Sequence, residues 1–137
     1  MTGALDAPKT VLVVENEALV ALMIAETLTE AGYQVVCAPD GRAAPSDAAV
    51  VNLRLAGGLD GRDVIRALRQ QRPNLPVVVV TGYDLLAPEA NLRGLGGPTA
   101  RLGKPIDCEA LLEYLARMLA CPTSLIAPRR RLSDMAA

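Results

Sequence analysis

Residues 11–32, VLVVENEALVALMIAETLTEAG, hold a strand, a polar strand end and a helix in succession. Val11-Leu12-Val13-Val14 is a continuous, mostly β-branched run, the pattern of a strand covered on both faces. Glu15, Asn16 and Glu17 close it with polar side chains. From Glu17 to Ala31 the period changes. Val20, Ile24, Leu28 and Ala31 share one helical face, and Glu26 and Glu30 lie off it. Gly32 stops the helix.

The same alternation continues outward. Gln34 to Ala38, Ala48 to Leu53, Val77 to Val80 and Thr99 to Leu102 read as further strands. Val64, Ile65 and Leu68 stripe a helix whose other side carries Arg62, Arg66 and Arg69. Residues 84–94 are expected to be another helix, interrupted early by Pro88. The last helix runs from Asp107, its N-cap, to Ala120, with Leu111, Leu115 and Met118 inward. Five strands alternating with helices imply an α/β doubly wound parallel sheet, flavodoxin-like, in the order 2-1-3-4-5. Sites in such folds form at the carboxyl ends of the strands. The ends to inspect are Glu15 to Glu17, Asn52 to Arg54, Thr81 to Tyr83, and Lys104. The domain spans residues 9–120. Residues 1–8 and 121–137 are expected tails, the second carrying Arg129-Arg130-Arg131 as a solvated end.

Composition narrows the function. There are 14 basic and 15 acidic residues, a balance that argues against a nucleic-acid binder. No apolar run approaches the ~20 residues of a membrane span, and no secretory signal is visible, so a cytoplasmic location is expected. His is absent, which removes the commonest general base and metal ligand. Three widely spaced cysteines suit a reducing compartment, with Cys37 and Cys108 expected as buried apolar fillers. The core must come from Val, Leu, Ile and Ala, because Phe and Trp are absent.

Four segments at four consecutive strand ends carry a resemblance: Val11 to Glu17, Val50-Val51-Asn52-Leu53-Arg54-Leu55, Val78-Val79-Val80-Thr81-Gly82-Tyr83, and Leu102-Gly103-Lys104-Pro105. In order and spacing over residues 9–120 the chain resembles the receiver domains of bacterial two-component response regulators. The resemblance implies a signalling module, not an enzyme. In the family, two acidic residues after strand one, an acceptor aspartate and a carbonyl two residues beyond it hold Mg²⁺. A hydroxyl and a lysine grip the phosphoryl oxygens.

Placed on this chain, the acidic pocket is Glu15 and Asn16, the acceptor position Asn52 and the carbonyl that of Arg54. The hydroxyl is Thr81 and the lysine Lys104. An amide is a poor nucleophile, so Asn52 is not expected to form an acyl phosphate. Two of three pocket carboxylates are missing, so Mg²⁺ is expected to bind weakly at best and no other cofactor is implied. Glu15 facing Lys104 would leave the pocket neutral without metal. The family's switch aromatic is replaced by Arg101, with Tyr83 a partial substitute. Only residues 42–47, which include Pro45, remain for the second helix, so it is expected to be shortened or lost.

The expected function is a phosphorylation-independent interaction module. Its partner would be a histidine kinase, another regulator or a second copy, met through the face of helix four, strand five and helix five. The alternative is an ordinary phosphate-accepting receiver in which both aspartates were exchanged for Asn by design. A nucleotide- or flavin-binding enzyme on this fold would need a Gly-, Ser- or Thr-rich loop after strand one, where Glu15-Asn16-Glu17 stands instead.

Overall fold

The structure is a computed structural model and describes residues 8–38, 46–55, 60–82, 92 and 94–120. Its elements are β1 (Thr10–Val14), α1 (Ala18–Glu30), β2 (Gln34–Cys37), β3 (Ala48–Asn52), α2 (Gly61–Gln71), β4 (Val77–Thr81), β5 (Thr99–Gly103) and α3 (Cys108–Ala120). All strand pairs are parallel, in the order β2-β1-β3-β4-β5. This is the doubly wound order expected from the sequence.

The two-residue period of the strands splits the core. Leu12, Val14, Ala49, Val51, Val77 and Val79 pack on one side against Val64 and Ile65 of α2. Val11, Val13, Val50, Val78 and Val80 pack on the other against Ile24 and Leu28 of α1 and Leu111 and Leu115 of α3. Burying each such aliphatic side chain is worth roughly 1.5–3 kcal/mol. This explains how a core without Phe or Trp holds together.

Local signals set the element ends. Asp107 Oδ1 accepts from the backbone N–H of Glu109 and Ala110 at 3.0 and 3.2 Å, capping α3. Past α1, Gly32 sits at φ 100°, where a side chain would be strained. Ala31, read as part of the buried face, is exposed, because it already belongs to the helix cap. Cys37 is also exposed rather than a buried filler: β2 is an edge strand. Cys108 is half-buried and accepts from Thr27 Oγ1 at 3.3 Å, joining α1 to α3.

Arg69 is the largest departure from the sequence reading. Its charge groups it with Arg62 and Arg66 on the solvated side of α2, yet it is buried. Ile65 lies one turn before it on the same stripe. Its guanidinium donates to the carbonyl of Leu75 at 2.8 and 3.1 Å, to that of Leu95 at 3.3 Å and to Thr99 Oγ1 at 2.9 Å. The carbonyls of Gly96 and Pro98 accept from it as well. Burial lowers its pKa below the ordinary arginine value, though a guanidinium stays charged in proteins. Gly97, at φ 63°, packs so closely that a Cβ would come within 2.7 Å of Arg69 Nε.

Several expectations lie outside the described residues: Tyr83, the helix over 84–94 apart from Leu92 and Gly94, the tail 121–137, and most of 42–47, where the second helix was expected to be reduced. The flanking Ala38, Ser46 and Asp47 are not helical. No helix among the described residues is long and apolar enough to cross a membrane.

Candidate functional site

Strand register assembles the site. Val14 pairs with Val51, so the next residues along, Glu15 and Asn52, stand side by side. Asn52 pairs with Val80, one residue before Thr81, and Thr81 pairs with Gly103, one before Lys104. The Lys104 N–H donates to the Thr81 carbonyl at 3.0 Å, fixing the lysine at the end of β5. The sequence-assigned residues Glu15, Asn52, Thr81 and Lys104 thus meet at the carboxyl edge. An open cavity of about 470 Å³ lies there, lined by Asn16, Glu17, Asn52, Arg54, Leu55, Thr81, Gly82 and Lys104.

Asn52 is held at both ends of its amide. Its Nδ2 donates to Glu15 Oε2 at 3.0 Å, and its Oδ1 accepts from the Arg54 N–H at 3.2 Å. Glu15 Oε2 also accepts the Glu17 N–H at 3.1 Å. An aspartate at 52 could not make the first of these bonds, because a carboxylate has no hydrogen to donate. The Glu15 side chain is only 1% exposed, and its Oε1 has no hydrogen-bond partner among the described residues. Lys104 Nζ lies 3.9 Å from that oxygen and 3.6 Å from Glu17 Oε1. The expected pairing of one acid with one lysine is therefore corrected to two acids sharing one lysine.

Other members behave differently. Asn16 is exposed at the rim. Arg101 is half-buried on β5 opposite Val79, and so faces the α2 side of the sheet. Arg54 pairs with Asp60 in a short antiparallel bridge, and its side chain is exposed along the cavity.

The donor set does not suit the Mg²⁺ that the resemblance implies. Mg²⁺ favours carboxylate oxygens in near-octahedral array. Here Asn52 turns an N–H toward Glu15, its oxygen is already engaged, and Asn16 is neutral. No cluster of three His, Cys, Asp or Glu fit to hold a metal occurs among the described residues.

The floor of the site rests on α2. Gly61 N–H donates to the Leu53 carbonyl at 2.8 Å, and a Cβ on Gly61 would stand 2.3 Å from the Asn52 carbonyl oxygen. Asp60 caps the helix by accepting from the Arg62 N–H at 2.9 Å. The Arg62 guanidinium bonded to Asp60 lowers that carboxyl's pKa. Since the folded value lies below the unfolded one, the stabilisation is present above the ordinary Asp range. It is lost as pH falls through the folded value. Asp60→Asn keeps the cap but not the charge. The stability gap between wild type and D60N should narrow as pH falls from about 5 to about 2. Urea melts across that range check this; a gap constant with pH would contradict it.

Sequence reasoning missed Arg69, Gly61 and the part of Glu17. Asp60-Gly61 at a helix start was the available signal for the second, and the i+4 spacing from Ile65 for the first.

The sequence matches the response regulator receiver domain family over residues 11–116. The chain is 32% identical over 120 residues to the probable transcriptional regulatory protein TcrX of Mycobacterium tuberculosis, covering 82% of this chain and 50% of that protein. Against the transcriptional regulatory protein QseB of Escherichia coli O157:H7 it is 34% identical over 118 residues, covering 80% and 51%. The chain thus spans about half the length of these curated relatives. The crystal structure of a receiver protein from Sinorhizobium medicae superposes with TM-score 0.73 at 27% identity, covering 83% of this chain and 96% of that one. A receiver domain of a Pseudomonas aeruginosa sensor histidine kinase, with magnesium in its active-site cleft, gives 0.72 at 26%, covering 84% and 100%. Sheet order, strand-end residues and sequence match agree: the chain belongs to the response regulator receiver domain family of two-component signalling.

Proposed function

We propose that this receiver is atypical: it signals by contact with a partner, without accepting phosphate and with little or no use of Mg²⁺. The observation that carries this reading is the Asn52 amide, which donates to Glu15 and accepts from Arg54. The acceptor position is thereby built into the resting hydrogen-bond network. It offers no carboxylate to attack a phosphoryl group. Clustered carboxylates would repel, by roughly 4 kcal/mol for two charges 4 Å apart at an effective dielectric of 20; here the amide replaces that repulsion with a bond.

The partner is a histidine kinase or another regulator in the cytoplasm, or a second copy of the chain. The contact face is that of β5 and α3 with the segment between β4 and β5. Arg101 stands on β5 where the family's switch aromatic would be, so this face has no aromatic at that position to move in response to phosphate.

Restoring carboxylates separates this from a receiver disabled only by exchange of two aspartates. The variant Asn16→Asp, Asn52→Asp should gain Mg²⁺ affinity and some phosphate acceptance, and lose stability without metal. Its dimerisation, measured with and without beryllofluoride, should stay within tenfold. A larger change, above about 1.4 kcal/mol, would show an intact switch and overturn the reading.

A further inference from the structure

Lys104 is placed differently from an ordinary surface lysine. Its ammonium stands between two carboxylates of unequal character. Glu15 is almost fully enclosed and keeps one oxygen without a hydrogen-bond partner among the described residues. The Glu17 side chain is 60% exposed and meets the ammonium from the solvent side. At 3.9 and 3.6 Å the ammonium is too far for a hydrogen bond to either, and acts on both as a point charge. Glu17 lies outside the positions that the family resemblance assigns to metal.

We propose that Lys104 is the pocket's resident cation and the residue that excludes divalent metal, and that without its charge Glu15 and Glu17 form a divalent-cation site. This rests on the reading that Asn16 and Asn52 have left the family's own metal position short of charge. Glu15 would supply a fixed, dehydrated oxygen, the kind of ligand a hard cation accepts, and Glu17 a carboxylate able to close over it. With Lys104 in place, an incoming cation meets a positive charge within about 4 Å of both ligands.

The test uses Mn²⁺ as probe on the full chain, with affinity read by electron paramagnetic resonance and stability by thermal melting. The proteins are wild type, Lys104→Gln, Lys104→Arg and Glu17→Gln/Lys104→Gln. K104Q should bind Mn²⁺ at least tenfold more tightly than wild type, and its melting temperature should rise with added Mn²⁺. K104R, which keeps the charge, should behave as wild type. The double variant should lose most of the gain. Equal affinity in K104Q and wild type would overturn the proposal. So would a gain in K104R matching that of K104Q, or a double variant that keeps the whole gain. Failure of the phosphorylation-independent reading would instead appear as phosphate on the wild-type chain, which leaves this comparison unaffected.

Discussion

Replacing Arg69 with Met should cost about 3–5 kcal/mol of folding stability. Two opposing effects decide the sign. Burying a guanidinium with no carboxylate partner among the described residues is unfavourable, and an apolar replacement removes that penalty. The acceptors, however, are backbone carbonyls of Leu75, Leu95, Gly96 and Pro98, with the Thr99 hydroxyl. No side-chain substitution can delete the four carbonyls. Each hydrogen bond to a charged donor is worth about 1.5–3 kcal/mol, and a buried acceptor left without one costs about 1–3. Several are lost together, so unsatisfied carbonyls outweigh the relieved charge. Lys keeps the charge but not the planar fork, and should fall between wild type and Met. Because 94–99 is moulded around the guanidinium, amide exchange there should accelerate in R69K and more so in R69M. Urea unfolding midpoints measure the cost; a loss for R69M under about 1 kcal/mol would show that the carbonyls find other partners.

Gly61→Ala should be the most damaging methyl group near the site, at about 2–4 kcal/mol. The new Cβ would stand 2.3 Å from the Asn52 carbonyl oxygen and 2.7 Å from the Leu53 Cα. Both obstacles are backbone at the carboxyl end of the central strand β3 and the residue after it, so neither can swing aside. Relief requires the first turn of α2 to lift, which stretches the 2.8 Å bond from Gly61 N–H to Leu53 O. Amide shifts should therefore move at Asn52 and Arg54 as well as along α2. Gly82→Ala is the control: it lines the same cavity, has no positive φ, and a Cβ there meets nothing within 4 Å. It should be neutral within about 0.5 kcal/mol. Equal effects of the two substitutions would mean that close packing of α2 on β3 is not what Gly61 supplies.

The parts of the molecule that could be read from the sequence are those where residue type and period agree. The valine runs of β1, β3 and β4 have one plausible conformation, and alternation with helices then fixes the sheet order. The site followed, because parallel register carries Glu15, Asn52, Thr81 and Lys104 to one edge. The misreadings have physical causes. Arg69 was assigned by its charge rather than by its position on the buried stripe, and only the carbonyl cluster around it explains its burial. Cys37 was assigned by its residue type, whereas an edge strand leaves it exposed. Glu17 joined the pocket because it stands at the N-cap of α1, where the chain turns back beside Lys104, a distance that spacing alone does not give. The apolar Leu19, 82% exposed, with Leu22 and Met23 on the outer side of α1, shows the same limit of composition as a guide to burial.

In the proposed reading Asn52 has replaced the acceptor and left the site without phosphoryl chemistry. Intact-mass measurement of the wild-type chain after incubation with acetyl phosphate and Mg²⁺ tests it most directly. The expected spectrum is unchanged, while Asn16→Asp, Asn52→Asp in the same experiment gains a labile phosphoryl group. A stable gain of one phosphoryl group on the wild-type domain would contradict the claim.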